Sequence, residues 1–124
     1  MLQLRSYIKA ADNTGAKMLE LIGVPGRGNK KIAHIGDVVR CVVKDSSSVG
    51  SVKAHEKVLA VIIRTRKGMR RKDGSTIKFD DNAAIILENI KEKLPKGTRV
   101  FGPIAREVKD LGYTKIASMA KELY

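Results

Sequence analysis

The sequence predicts a mainly β protein, with a small closed barrel, a long projecting β-hairpin and short helices near the C-terminal end. Three observations lead to this prediction. Short runs of β-branched and apolar residues follow one another over the first three-quarters of the chain. Several runs are apolar at consecutive residues, as in strands that are covered on both faces or that fill a small barrel. The last quarter changes to the spacing of short helices.

The predicted strands are separated by turn chemistry and not by helices. Asp, Asn, Gly, Pro and Ser cluster at residues 12–15, 25–29 and 46–50, and Asp73-Gly74 forms a further turn signal. Five or six short strands without helices between them favour a barrel over an open parallel sheet. The segments predicted as strands are residues 2–9, 18–24, 37–44, 58–67 and 76–87.

Residues 60–87 are predicted to form one long β-hairpin. The apolar runs 60–63 and 83–87 flank a basic segment that has Asp73-Gly74 near its centre. Asp-Gly between strand-like sequences is a strong hairpin signal, because a two-residue turn needs positive φ at its central residues. Between Arg64 and Lys78 there are seven Lys or Arg residues and one acid. The hairpin is therefore expected to hold a cationic arm, at about residues 64–79, in solvent.

The last quarter of the chain predicts two short helices that pack on the barrel. A lysine-rich connector spans residues 90–97, and Gly102-Pro103 precedes residues 104–109, where proline suits the first turn of a helix. Beyond Gly112, apolar residues fall at helical spacing, at Tyr113, Ile116, Ala117, Ala120 and Leu123. We expect one domain over residues 1–124, with the barrel and arm in 1–90 and the connector and helices in 91–124.

The charge of the chain indicates a polyanionic partner. The formal net charge is +12, from 25 basic and 13 acidic residues, while a hydrophobic content of 43% supports a packed core. Such a charge repels itself in the folded state, and a phosphate-bearing partner relieves that repulsion. The alternative is a solvated basic surface that serves solubility. Clustering of the charge at predicted turns and at the hairpin tip favours the partner.

The single cysteine and the hydropathy pattern indicate a reducing compartment. Cys41 lies in the apolar run 38–43 and has no second cysteine to pair with, so we expect it to act as a small buried hydrophobe. No run of 18 or more apolar residues exists, which predicts no membrane span. The first residues lack the apolar stretch of a signal peptide, so the expected location is the cytoplasm.

Signals for a nucleotide pocket, a metal site or catalysis are weak. Residues 23–28 are glycine-rich but lack the Gly-x-Gly-x-x-Gly order and a following helix, so this loop is predicted to be a basic finger. His34 and His55 do not fit zinc spacing. Adjacent Asp80 and Asp81 would point to opposite faces of a strand and would not converge on Mg²⁺. No Ser or Cys has an evident base partner, so we expect no enzyme, no metal, no cofactor and no small-molecule substrate.

Nucleic-acid binding is the better prediction. Only five aromatic residues exist and they are dispersed along the sequence, which counts against a single-strand binder that stacks bases. Basic residues on projecting loops suit the phosphates of a folded, duplex-rich RNA. The alternative for the hairpin tip alone is a solvated charge cluster. The candidate RNA-binding residues are Arg27, Lys30, Lys31, Arg64, Arg66, Lys67, Arg70, Arg71, Lys72 and Lys78.

Four blocks of sequence together match the pattern of a known family. They are AVII at residues 60–63 followed by Asp73-Gly74, Phe79 and Asn82; ADNTGA at 11–16; IGDV at 35–38; and GTRVFGP at 97–103. Over essentially its whole length the chain resembles the family of the fourteenth protein of the large ribosomal subunit, in its bacterial type. The departures are Ile85-Ile86 where valine usually comes first, Lys72 and Lys121 where proline is frequent, and AHEK at 54–57 in place of a lysine-glycine-aspartate turn.

The resemblance implies a five-stranded barrel and a structural, non-catalytic role in the large ribosomal subunit. Members of the family bind large-subunit rRNA, pair with protein nineteen of the same subunit and contribute to intersubunit bridges with small-subunit rRNA. The location implied is the cytoplasm, bound to the ribosome. A silencing factor docks on the C-terminal region in bacteria, and the matching residues here are Thr98, Arg99, Lys115 and Ser118.

Two other functions stay open from the sequence alone. A free-standing nucleic-acid chaperone of the barrel type would have the same charge and the same strands. A small magnesium-dependent nuclease would use Asp80 or Asp81.

Overall fold

A computed structural model describes residues 2–25, 32–47, 49–89 and 91–124 of the chain. Within these residues the helices are α1 (Arg106–Asp110) and α2 (Thr114–Met119). The strands are β1 (Leu2–Gln3), β2 (Tyr7–Ala10), β3 (Ala16–Gly23), β4 (Ile32–Ala33), β5 (Val38–Ser46), β6 (Lys57–Arg64), β7 (Met69–Arg70), β8 (Thr76–Ile77), β9 (Ala83–Asn89) and β10 (Leu94–Pro95).

Five of the strands close into a barrel. β3 pairs antiparallel with β2 and with β5, and β6 pairs antiparallel with β5 and with β9. The barrel closes through a parallel pairing of β2 with β9, in which Lys9 lies opposite Ala83 and Ala10 opposite Ala84. β10 pairs with the C-terminal end of β9, and β1 pairs with β4 outside the barrel. The predicted five-stranded closed barrel is confirmed.

Burial of β6 and β9 explains their unbroken apolar sequences. Residues 60–63 and 83–87 are buried at every position. Because consecutive side chains of a strand point to opposite faces, both faces of these strands are covered. The C-terminal segment lies against β6, where the Ala105 N–H donates to the Ile63 carbonyl at 3.2 Å. Ile104, Val108 and Ile116 are fully buried and belong to the same core.

The predicted long hairpin is interrupted. β6 ends at Arg64 and β9 begins at Ala83, while β7 and β8 form a separate two-stranded ladder, which we call the tip hairpin (residues 69–77). Between the two ladders regular pairing gives way to separate contacts, among them the hydrogen bond from the Phe79 N–H to the Thr65 carbonyl at 3.1 Å. The Asn82 amide oxygen accepts the Arg66 N–H at 2.7 Å, next to a register shift in the β6–β9 ladder.

The turn of the tip hairpin has three residues and not two. The Arg71 N–H donates to the Ser75 carbonyl at 2.8 Å, and the Gly74 N–H donates to the Arg71 carbonyl at 3.1 Å. Gly74 has φ +90°, whereas Asp73 is not in the positive-φ region. The Asp73 carboxylate accepts the Ser75 N–H and hydroxyl, at 3.0 and 2.6 Å. Local hydrogen bonding by Asp73 therefore favours the three-residue loop with glycine in the left-handed region.

The two predicted helices are present but shorter than their spacing indicated. Pro103 lies before α1, whose N-cap is Ala105, so it is not in the first turn. α2 ends at Met119, and Leu123 forms a bridge with Ile104 in place of a further helical turn. Such short helices depend on tertiary packing, and pairing with the backbone of Ile104 competes with extension of α2. The longer of the two has six residues, so no helix of the described chain can span a bilayer.

Asp12 is a buried carboxylate that fastens the end of β2 to β9. Its Oδ2 accepts the Ile86 N–H at 3.0 Å, and its Oδ1 accepts the Thr14 hydroxyl at 2.7 Å. Burial raises the pKa of Asp12 above its ordinary value of 3.8, although these hydrogen bonds oppose the rise. The carboxylate therefore stabilises the junction between the end of β2 and β9. Its ionised form carries a desolvation cost.

We predict that the stability lost on Asp12→Asn is larger at about pH 4 than at about pH 7. The pKa of Asp12 is higher in the folded than in the unfolded chain, so its stabilising effect is complete below 3.8. That effect is lost as the pH rises through the raised pKa. Urea unfolding of both proteins at the two pH values measures the difference. A cost that grows with pH, or an NMR titration midpoint of the Asp12 carboxyl at or below 3.8, contradicts the prediction.

Cys41 gives a second prediction, because its thiol is fully buried on β5. Burial raises its pKa from the ordinary value of 9.0 to about 12, so the reactive thiolate is about a thousandfold rarer at a given pH. We expect alkylation by iodoacetamide at about pH 8 to be blocked in the native protein and rapid in denaturant. In a Val49→Cys variant the new thiol, at a position 92% exposed, should react natively. Equal native labelling of both thiols would be incompatible with the buried position.

Candidate nucleic-acid interface

The cationic arm that the sequence predicts divides into buried and exposed side chains. Arg64, at the end of β6, is only 4% exposed. Its Nε and Nη2 donate to the two carboxylate oxygens of Asp81, at 2.9 and 3.2 Å. Its Nη1 donates to the carbonyls of Phe101 and Pro103, at 2.8 and 2.9 Å. The guanidinium thus makes its contacts inside the protein, and little of the side chain is exposed for a phosphate group.

Gly102 is the residue that lets the chain wrap around Arg64. It has φ +84°, and a Cβ at this position would lie 2.4 Å from Arg64 Nη1. Only glycine meets both conditions, because other residues are strained at positive φ and would clash with the guanidinium. The Gly102-Pro103 pair, which the sequence predicts to be the start of a helix, therefore packs against the buried guanidinium of Arg64.

Arg71 ties the tip hairpin to the C-terminal part of the chain. Its guanidinium makes a bidentate pair with Glu107 of α1, with Nε–Oε2 and Nη2–Oε1 distances of 2.9 and 3.0 Å. Nη2 also donates to the carbonyl of Tyr124. Both partners of the ion pair are half-buried, with side-chain exposures of 18% and 28%, so the pair is better shielded than a surface salt bridge.

The remaining basic residues of the arm are exposed. Among the described residues their side chains have no hydrogen-bond or ion-pair partner. We call this set the arm cations: Arg66, Lys67, Arg70, Lys72 and Lys78. The three other predicted contact residues, Arg27, Lys30 and Lys31, lie outside the described residues.

The acidic pair beside the arm is not arranged as a metal site. Asp81 is the counter-charge of Arg64, while Asp80 is exposed. Within the described chain no cluster of three or more metal-ligating side chains is found. Asp81, one of the two residues that a magnesium-dependent nuclease would use, therefore has a structural role.

The four residues matched to a docking patch lie on two neighbouring segments. The Asn13 Oδ1 accepts the backbone N–H groups of Thr98 and Arg99 at 2.8 and 3.1 Å, and both side chains are exposed. Lys115 and Ser118 are exposed on α2, where the Ser118 hydroxyl donates to the Lys115 carbonyl. α2 packs beside β10, which comes just before Thr98 in the sequence, so the two segments lie on the same side of the barrel.

Three of the five aromatic residues lie in one groove, which sequence reasoning missed. We call it the aromatic groove; it is open, about 1130 Å³ in volume, and lies between the tip hairpin, the end of β2 and the segments 101–103 and 123–124. Phe79, Phe101 and Tyr124 line it, together with the exposed cations Lys9 and Lys78. Arg106 adds a third exposed cation. No periodicity links positions 79, 101 and 124, so only the fold reveals their convergence.

Comparison with known proteins gives consistent matches. The model of the family described as ribosomal protein L14p/L23e matches residues 1–124. The chain is also similar to a curated protein of Petrotoga mobilis (strain DSM 10674 / SJ95), the large ribosomal subunit protein uL14. The two are 52% identical over 124 residues, which is the full length of both.

We predict that Arg64→Met lowers the free energy of unfolding by about 2–4 kcal/mol, because Asp81 and two carbonyls lose their donors together. Arg66→Met, at the exposed position two residues along, should cost less than about 0.5 kcal/mol. Urea denaturation of both variants measures the difference. Similar costs for the two would show that the buried network does not stabilise the fold.

Proposed function

This chain belongs to the ribosomal protein L14p/L23e family and is a structural constituent of the large ribosomal subunit, and we propose that its arm cations bind ribosomal RNA. The family is one of structural ribosomal proteins and not a class of enzymes. The observation that carries the proposal is a set of five exposed basic side chains on one arm, none of which has a partner among the described residues. Phosphate groups are the partners that such a surface fits.

The geometry supports binding by a preorganised arm. Arg71 fixes the tip hairpin to α1, and the Asn82 side chain fixes the root of the arm at Arg66. Less backbone entropy is then lost when the arm cations bind phosphates than if the arm were free to move. Since phosphate contacts carry no base code, recognition would depend on the shape of the folded RNA.

The finer contacts are also part of this proposal. Arg27, Lys30 and Lys31 complete the basic surface, on the basis of their sequence. We expect contacts with small-subunit rRNA at intersubunit bridges, and pairing with large-subunit protein nineteen. The exposed side chains of Thr98, Arg99, Lys115 and Ser118 would receive the silencing factor. The expected location is the cytoplasm, bound to the ribosome.

We predict that Arg70→Ala combined with Lys72→Ala weakens binding to deproteinised large-subunit rRNA. Because two phosphate contacts are lost, the slope of log affinity against log salt should become shallower by about 1.4–1.8. Filter binding at about 50–200 mM salt measures the slope. Stability should change by less than about 1 kcal/mol, because both residues are exposed.

The control is Lys53→Ala combined with Lys57→Ala, which removes two exposed cations at the N-terminal end of β6, the end opposite to the arm. This variant should bind with a slope close to that of the unmodified protein. Arg71→Ala is unsuitable as a test of phosphate contact, since it also breaks the pair with Glu107. If both double variants lose the same affinity and slope, the arm has no special role in binding.

A further inference from the structure

We infer that the aromatic groove binds an unpaired nucleotide of RNA, with its base stacked on Phe101 and Tyr124 and its phosphates near Lys9, Lys78 and Arg106. This inference rests on the proposed function and extends it from phosphate contact to base contact. Base–aromatic stacking together with a cationic track is the general basis of single-strand recognition.

The exposure of the rings is the first support. Phe101 is 53% exposed and Tyr124 is 51% exposed, although both sit in a concave part of the surface. Single exposed apolar residues are common and need no explanation. Aromatic rings that share one groove with cations are different, because the combination is typical of binding surfaces.

The rigidity of the ring positions is the second support. The Phe101 N–H donates to the Ala11 carbonyl at 2.8 Å, which anchors this residue to the end of β2. The Tyr124 N–H donates to the Ile104 carbonyl at 2.9 Å, and the Tyr124 carbonyl accepts from Arg71. The backbones that carry the two rings are thus fixed before a ligand arrives, which lowers the entropy cost of stacking.

The charge around the groove favours a nucleotide over an acidic or apolar peptide segment. Lys9, Lys78 and Arg106 are exposed and have no ion-pair partner among the described residues. The carboxylates in the lining are Asp80 and Asp81, and Asp81 is neutralised by Arg64. The exposed cations can bind the phosphate of one nucleotide, and the aromatic rings of the same groove can stack on its base. The volume of about 1130 Å³ is ample for such a ligand.

The test compares a six-nucleotide oligoadenylate with an abasic oligomer of the same length and charge, by fluorescence anisotropy on the full-length protein. The oligoadenylate should bind at least about tenfold more tightly, because only it can stack. Phe101→Ala should remove this difference, and Phe101→Tyr should retain it. Tyr7→Ala is the matched control, since Tyr7 is 60% exposed but lies outside the groove, and it should change nothing.

Failure of this inference can be told apart from failure of the proposed function. A rigid RNA duplex reports on the arm cations, and its binding should be unaffected by Phe101→Ala but weakened by Arg70→Ala with Lys72→Ala. Equal affinities for the two oligomers, with duplex binding intact, would overturn the nucleotide groove alone. NMR shifts of the Phe101 and Tyr124 rings on adding oligoadenylate would support it. Rings that do not shift would overturn it and leave a protein segment as the occupant.

Discussion

The guanidinium of Arg64 joins three parts of the chain that are far apart in sequence. It links the end of β6 to Asp81, 17 positions later, and to the carbonyls of Phe101 and Pro103, 37 and 39 positions later. Asp81 lies at the root of the arm, and the segment 101–103 forms a wall of the aromatic groove. The position of both candidate binding surfaces therefore depends on one buried arginine and on the glycine that makes room for it.

Arg71 extends this internal network to the tip of the arm. Its pair with Glu107 and its bond to the Tyr124 carbonyl hold the tip hairpin against α1 and the last residues. Two of the seven cations between Arg64 and Lys78 thus organise the arm, and the other five face solvent. Without these contacts of Arg71, the tip hairpin would become ordered only on binding RNA, and the entropy lost in that step would lower the affinity.

The sequence predicted the barrel well, because consecutive apolar residues in β6 and β9 and turn residues between strands are local signals. It did not distinguish Arg64 from its basic neighbours, because the sequence around a basic residue at a strand end does not show whether that residue is exposed or paired within the core.

The aromatic groove was not predicted from the sequence for a similar reason. Backbone hydrogen bonds place Phe101 next to Ala11 and Tyr124 next to Ile104, and these bonds form only in the tertiary fold. The turn at Asp73-Gly74 was located correctly, but its length depended on a side-chain bond to Ser75.

We infer that a rigidly held cationic arm engages ribose-phosphate chains in the large subunit. Lysine acetylation followed by mass spectrometry tests it most directly, with the free protein and intact subunits treated in parallel. Lys72 and Lys78, exposed in the free protein, should be protected in the subunit and become reactive again after ribonuclease digestion. Equal reactivity in both states, or protection that survives ribonuclease, would contradict the account.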